Sequence, residues 1–415
     1  MRKNTFFYGW VVVAGCILIT MTMVPPIMAL SSKYLLYVTA DLNISRSAFT
    51  LANTILQALG IFLSPLVSKR LAEGDLRRIQ SFSVVGYCVS YFSYSLATRP
   101  IHLYISSLAL GIFYLNATLI PVSMVVTNWF SRRRGLAMSL AMAGIGVGGT
   151  LFSPLLTFLL ESYGWRAAYR VMSLVILVLA LPAALFLIRK KPEDMGLRPL
   201  GADDVSGGRQ GGTGGGSRLL LTFEQAKTRP FFFLLLAGML ANGLINAGAL
   251  GHFPPAMQES HGAAVQAAVI SLYSSVSIGG KLLLGWINDR FGVVISTTYA
   301  CTLFALSFVF MLFSGQSAAP LYAMAVVFGL GNAIGTVTPP LITAQIFGKE
   351  QYSRAYGAAN SFSQVGLSLG SLAVASVYDA TGSYQTAWIL LLVLTAVTLS
   401  CWVSAVMLAR RYQRK

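Results

Sequence analysis

Charge is what this chain has least of. Of its 415 residues only 10% are Asp, Glu, Lys or Arg, and just 13 of those are acidic. Soluble domains carry about 25% charged residues, so there is too little polar surface here to cover a soluble core of this length. Cysteine is scarce too. Cys16, Cys88, Cys301 and Cys401 stand alone in apolar runs with no CxxC spacing, which excludes a disulfide scaffold or zinc cluster and leaves buried apolar thiols. His102, His252 and His261 show neither HExxH nor HxxxH spacing. No glycine-rich nucleotide loop is present, so coupling to ATP is excluded and neither metal nor cofactor is expected.

What is abundant is apolar sequence. Hydrophobic residues make up 55% of the chain and the mean hydropathy is +0.68. Runs of about 20 apolar residues mark membrane spans, and they recur from end to end. The first is too long for a cleavable leader and lacks a small-residue cleavage site, so it is expected to stay as a span. Twelve segments are expected, at roughly 8–36, 46–69, 79–97, 101–129, 135–161 and 167–188, then 231–259, 264–287, 294–314, 320–347, 355–379 and 384–409. Between the sets lies Gly207 to Ser217, reading GGRQGGTGGGS, a flexible linker by composition. The expected organisation is all-α, with a six-helix bundle over 1–188, a cytoplasmic linker over 189–230 and a second bundle over 231–415. Within the linker, Thr222 to Thr228 reads either as a short amphipathic surface helix or as loop.

The net charge of +17 needs a topological reading before a nucleic-acid one, because no clustered basic face on a soluble scaffold exists. With both termini cytoplasmic, 24 of the 30 Lys and Arg fall inside. Lys33, Arg46, Arg99, Arg166 and Arg170 fall outside, and Lys281 falls within a span. Basic residues in short loops favour the cytoplasm, so inside termini are expected, in a bacterial inner membrane. That setting also empties the acceptor-like triplet Asn43-Ile44-Ser45 of meaning.

The halves resemble one another. Phe130 with Arg132 to Gly135 corresponds to Phe347 with the charged loop before Gly357. Each is followed by a glycine-bearing span, with Gly144, Gly146, Gly148 and Gly149 in one and Gly366 and Gly370 in the other, at an offset of about 220 residues. A duplicated six-helix unit with a central linker is a transporter architecture, in which one half rocks against the other around a midplane site. Pro25-Pro26 and Pro339-Pro340 are expected to bend or break their helices, and the Gly144 to Gly149 run to pack spans closely.

Gly285-Trp286-Ile287-Asn288-Asp289-Arg290-Phe291-Gly292 fits G-x-x-x-D-R-x-G. Gly285 permits close helix approach, Asp289 and Arg290 place charges at a helix end, and Gly292 allows a tight turn. The bland alternative is an ordinary charged turn. The pattern resembles the cytoplasmic loop motif of the major facilitator superfamily. The first-half copy, Ser64 to Arg78, has Ser68 where that motif has Asp.

Further stretches narrow the resemblance. They are Tyr8-Gly9-Trp10-Val11-Val12, Asn128-Trp129-Phe130 with Arg133 to Ala137, Lys190 to Gly196 (KKPEDMG) and His252-Phe253-Pro254. In order and spacing they are similar to the branch holding oxalate–formate antiporters and monocarboxylate porters. The resemblance implies a basic residue in the eighth span that binds the substrate carboxylate. Lys281 stands there, where arginine is commoner, and offers a point charge in place of a bidentate fork. It also implies a second cation in the eleventh span for dicarboxylates. Asn360 to Gln364 contains none, which argues for one carboxylate. Ser277 replaces the acidic residue that proton-coupled porters often carry one turn earlier.

Lys281 stands out without any resemblance. A lysine at the centre of a membrane helix costs about 2.5–3.5 kcal/mol and is a functional candidate by default. The alternative is snorkelling to the inner headgroups, since Asp289 is only about 12 Å further along the helix. No Asp or Glu sits mid-span to neutralise it, which leaves a substrate anion. His252 reads equally as a carboxylate donor that titrates near neutral pH or as an interfacial histidine. Tyr114, Asn116, Asn246, Tyr273, Asn332, Asn360 and Gln364 are candidate cavity groups, with helix–helix hydrogen bonding as the alternative for each. The resemblance implies that the first, fourth, seventh and tenth spans line the cavity.

The expectation is a non-enzymatic, monomeric secondary transporter of a small organic monocarboxylate. An inside-negative potential opposes entry of a bare anion by about 2.3 kcal/mol per 100 mV, so a co-transported proton is expected, with exchange for a counter-anion as the alternative. A drug or siderophore exporter would more often carry an acidic residue in its cavity. An integral-membrane enzyme would need clustered His, Asp or Glu, and a sensor a soluble output domain.

Overall fold

Prolines and glycines divide an otherwise nearly continuous run of apolar helix. The computed structural model describes residues 7–28, 30–44, 46–201, 223–315 and 317–412. Among these residues there is no β-strand, only one isolated bridge between Phe130 and Leu200. The glycine-rich stretch 207–217, Thr222 and Ser45 lie outside the described residues.

The chain forms two compact units, Met1–Gly211 and Gly212–Lys415. The first holds α1 (Gly9–Met23), α2 (Pro25–Met28), α3 (Leu35–Leu42), α4 (Arg46–Glu73), α5 (Leu76–Ser93), α6 (Pro100–Ala117), α7 (Leu119–Trp129) and α8 (Arg134–Pro182). The second holds α9 (Phe223–Ala226), α10 (Pro230–Phe291), α11 (Val293–Leu312), α12 (Ala319–Gly331), α13 (Thr338–Thr381) and α14 (Tyr384–Ala409). Among the described residues 223–228 a single turn, α9, is helical; its Glu224 pairs with Lys227.

Nine helices among the described residues are long and apolar enough to cross a membrane, against the twelve segments expected. The difference has identifiable sources. α8 spans 49 residues, about 74 Å at 1.5 Å per residue, far beyond a hydrocarbon core of about 30 Å. It turns at Gly164 (φ 76°, ψ 170°), and α13 turns likewise at Gly348 (φ 63°, ψ −169°). α10 turns too, at Gly262 (φ 80°, ψ 170°), but its two parts, Pro230–Met257 and Ala268–Phe291, already count as separate spans. Side chains with a Cβ essentially never adopt these angles, so each glycine ends one helix and starts the next. α5, the third expected segment, falls short because Arg77, Arg78, Gln80 and several serines dilute its 18 residues.

Close approach of backbones organises each unit. In the first, α8 packs on α1, and a Cβ at Gly144 would lie 2.6 Å from the Ile17 carbonyl oxygen. Gly148 leaves equally little room beside Met21, whereas Gly149 faces open space. In the second, Gly366 and Gly370 of α13 meet α10 at Gly243 and Leu244, 2.8 and 2.9 Å from where their own Cβ atoms would be.

Prolines mark breaks in the same helices. A proline lacks the N–H that would bond the carbonyl four residues back. Pro25-Pro26 open α2, directly after the break at Val24 that ends α1. Pro339-Pro340 likewise occupy the first turn of α13, where a missing N–H is harmless, and the break precedes them at Asn332–Gly335. A third break, at Thr118 (φ −106°, ψ −112°), separates α6 from α7. Pro121 leaves the Ala117 carbonyl unpaired there, and Gln80 Nε2 donates to it at 2.8 Å. Seven residues along α5, Tyr87 Oη donates to the Met23 carbonyl at 2.9 Å, beside the first break. One face of α5 thus satisfies freed carbonyls of two broken helices.

At one end of the first unit, residues 189–201 form a strap. Leu200 N donates to Trp129 O, and Ser131 N and Arg132 N donate to Leu200 O. Asn128 Nδ2 and Trp129 Nε1 donate to the Lys190 and Arg189 carbonyls. Lys190 Nζ donates to Ala72 O and Gly74 O at 2.5 and 2.9 Å, so a cation sits on the carboxyl end of α4, where the helix dipole favours it. Burial and the neighbouring Lys191 hold its ammonium below the usual lysine range. Ser68, at the position of the missing Asp, is buried and its hydroxyl has no partner among the described residues.

Candidate functional site

Lys281 lies near the middle of the apolar stretch Ala268–Phe291, about 15 Å from its charged end. Helical periodicity sets its surroundings. Ser277, Gly280, Leu284 and Gly285 share its buried face, and Gly279, Leu283 and Trp286 point outward. Lys281 itself is 5% exposed, so its side chain does not run along the outer surface toward the headgroups, as snorkelling would require. Among the described residues it makes no hydrogen bond or ion pair.

The contrast with other lysines is instructive. Lys33 Nζ donates to Ser153 O, Ser153 Oγ and Thr157 Oγ1 at 3.1, 2.6 and 2.8 Å, and Lys190 has its two carbonyls. A buried ammonium is costly unless its donors are met, and Lys281 alone of these three has none met by protein.

The helix bearing Lys281 is pressed against α12 beside it. A Cβ at Gly280 would come within 2.6 Å of the Gly329 carbonyl oxygen, and one at Gly329 within 2.8 Å of the Tyr273 carbonyl oxygen. The Tyr273 ring stands edge-on to Phe328 at 5.2 Å. Two turns of α10 and the end of α12 therefore have little freedom to part, which fixes the backbone on either side of the lysine.

Asn332 opens the break after α12, and Asn246 lies beside that break. Asn246 Nδ2 donates to Asn242 O and Oδ1 at 2.8 and 3.0 Å. Its Oδ1 lies 2.5 Å from where a Cβ of Gly335 would be, so it lies against the Asn332–Gly335 turn. Tyr114 and Asn116 flank the corresponding break in the first unit. Asn116 Nδ2 donates to Ile112 O at 2.8 Å, while its buried Oδ1 has no partner among the described residues. Gln364 is 8% exposed and its Oε1 likewise has none among them. Asn360 is half-buried one turn earlier on the same helix.

His252 is tied to its neighbour. Its Nε2 lies 2.9 Å from Ser371 O and 3.2 Å from Ser371 Oγ. A carbonyl only accepts, so Nε2 carries a proton. Nδ1 is buried and has no partner among the described residues. This histidine spends one nitrogen on helix–helix bonding, a use read in the sequence only as an interfacial position.

The loop motif builds a turn. Gly292 (φ 89°, ψ 170°) ends α10, with its N–H on Asn288 O at 2.9 Å. Ser296 Oγ donates to Asn288 Oδ1 at 3.3 Å. Arg290 lies over the Trp286 and Phe291 rings at 5.4 and 5.5 Å, and Asp289 is half-buried.

The family model for the Major Facilitator Superfamily matches residues 10–340 and 253–415. This chain belongs to the major facilitator superfamily. It is therefore a multi-pass membrane protein of a transporter family. Among curated relatives, the rat protein named Monocarboxylate transporter 12 is 25% identical over 408 residues, covering 92% of this chain and 82% of the relative. Monocarboxylate transporter 13 of Bos taurus is 28% identical over 304 residues, covering 71% and 65%. The crystal structure of the human organic anion transporter MFSD10 (TETRAN) superposes with a TM-score of 0.66 at 16% identity, covering 97% of this chain and all of that one. The superposition supports the superfamily's fold for this chain.

Sequence reasoning missed Gln80, Tyr87 and Ser371. Each supports a helix break or a candidate residue through a long-range hydrogen bond, and nothing local marks them. For Gln80 a signal existed, since Pro121 announces an unpaired carbonyl at Ala117 and a buried amide is one way to meet it.

Proposed function

We propose that this chain carries a small organic monocarboxylate across the cell membrane by proton-coupled symport, with Lys281 pairing with the carboxylate. The observation that carries the reading is the buried Lys281 ammonium with no protein partner among the described residues. A charge left unmet in a low-dielectric setting is a site for the opposite charge, and the pair is favourable only when both are present. The names of the relatives point to the same substrate class. One cation, with none in Asn360 to Gln364, suits one carboxylate and leaves a second one unpaired. Asn246, His252, Tyr273, Asn332, Asn360 and Gln364 of the same unit are the proposed hydrogen-bonding groups.

Symport with one proton makes uptake electroneutral and removes the cost of moving an anion against the membrane potential. Exchange for an internal anion is the second reading. It is favoured by the placement of every Asp and Glu at or beyond the ends of the expected spans, which leaves no mid-span carboxylate to carry the proton.

Thermal unfolding of the purified protein with a panel of mono- and dicarboxylates tests the substrate class. A ligand at a hundred times its Kd adds about 2.7 kcal/mol of stability. Stabilisation by a monocarboxylate in the wild type and none in Lys281→Gln is the expected result. Equal responses in both proteins remove Lys281 from the site, and a response only to cationic amphiphiles replaces the reading with an exporter.

A further inference from the structure

The outer surface of the first unit carries a groove that the transport reading does not use. It lies between α5 and the part of α8 that follows Gly164, and encloses about 490 Å³. Val85, Val89 and Phe92 line one wall, spaced along one face of α5, and Val171, Leu174 and Leu177 line the other. Val89 and Leu174 are 63% and 60% exposed, so the groove opens outward. Its floor is closed by Ser173 Oγ, which donates to Cys88 O at 2.9 Å. Phe92 to Val85 covers about 10 Å along the helix, against about 15 Å for one leaflet of hydrocarbon.

One end of this apolar groove holds a cation. Arg170 is exposed there, and its Nε donates to Ser95 Oγ at 3.2 Å, which fixes the guanidinium at the rim. Among the described residues its Nη groups have no partner. Arg166, one turn nearer the end of the bundle, is by contrast fully engaged, with Asp41, the Ala97 carbonyl and the Trp165 ring. A guanidinium with both Nη groups free presents the fork geometry that phosphate oxygens accept.

We propose that this groove binds an anionic phospholipid, with one acyl chain between α5 and α8 and its phosphate on Arg170. Apolar walls and a single rim cation match a molecule that is apolar along its length and anionic at one end. In a zwitterionic lipid the choline group competes with Arg170 for the phosphate, so a net negative headgroup is preferred. The proposal rests on the membrane-spanning fold and is independent of what Lys281 binds.

Native mass spectrometry of the delipidated full chain tests it, with phosphatidylglycerol and phosphatidylcholine titrated separately. The wild type is expected to bind one phosphatidylglycerol at least tenfold more tightly than phosphatidylcholine. Arg170→Gln is expected to bind both lipids alike, and Leu174→Trp, which fills the groove, to bind neither at that site. Both positions face outward, and unchanged melting temperatures would show that the variants fold. Equal affinity of the wild type for the two lipids, or phosphatidylglycerol retention by both variants at the wild-type level, overturns the proposal.

Discussion

Replacing Lys281 with methionine should make the protein more stable and less active. Methionine matches the length of the lysine stem, removes the charge and introduces no polar atom needing a partner. A lysine at the centre of a membrane helix costs about 2.5–3.5 kcal/mol, and no protein partner among the described residues offsets that cost here. Water reaching the ammonium reduces the figure, so a gain of about 1–3 kcal/mol is expected. For a cooperative unit of about 200 residues, each kcal/mol raises Tm by about 2–4 °C. Tm in detergent or nanodiscs, followed by intrinsic fluorescence, should therefore rise by several degrees in Lys281→Met, while binding of the monocarboxylate found by ligand screening disappears. Opposite signs for stability and function are the mark of a group kept for its ligand. A fall in Tm with both properties lost together refutes the reasoning, because it shows that the lysine holds the fold.

Three other substitutions test the architecture. Gly262→Ala forces a side chain into angles that essentially only glycine adopts, and should cost about 1–3 kcal/mol, read as a lower Tm. Gln80→Leu leaves the Ala117 carbonyl buried and unpaired, with an expected loss of about 1–3 kcal/mol; an unchanged Tm would mean that another group takes over the carbonyl. Lys190→Ala strips the cation from the carboxyl end of α4 and should lower Tm modestly, by about 1 kcal/mol for a partly exposed group. Hydrogen exchange in residues 68–78 should rise in the same variant.

Much of the fold was legible because membrane helices are written in composition. The apolar segments, the close-packing glycines at 144 and 148 and the turn at Gly292 all follow from local residue types. The number of crossings was less legible in α5, whose arginines and serines place it below an apolar threshold. Pro339-Pro340 misled slightly, since a proline pair reads as a break whether it sits at the break or just after it. The break at Thr118 was missed because its cause, Pro121, lies four residues beyond the carbonyl it frees. In the candidate site, Lys281 was conspicuous as a lone charge in an apolar run. Its orientation was not, because eight residues to Asp289 fit either a buried or a snorkelling side chain. Burial on the face shared with Gly280 comes from packing against α12, which only the structure supplies. The role of Ser371 in holding His252 lies 119 residues away in sequence, beyond any local pattern.

The most direct test of the central claim is uptake of a radiolabelled monocarboxylate into proteoliposomes under an imposed inward proton gradient, for wild type and Lys281→Gln side by side. The account predicts saturable, gradient-stimulated uptake by the wild type that excess unlabelled monocarboxylate abolishes and dicarboxylate does not, with Lys281→Gln at the level of empty vesicles. Gradient-driven uptake by Lys281→Gln at the wild-type rate would contradict it.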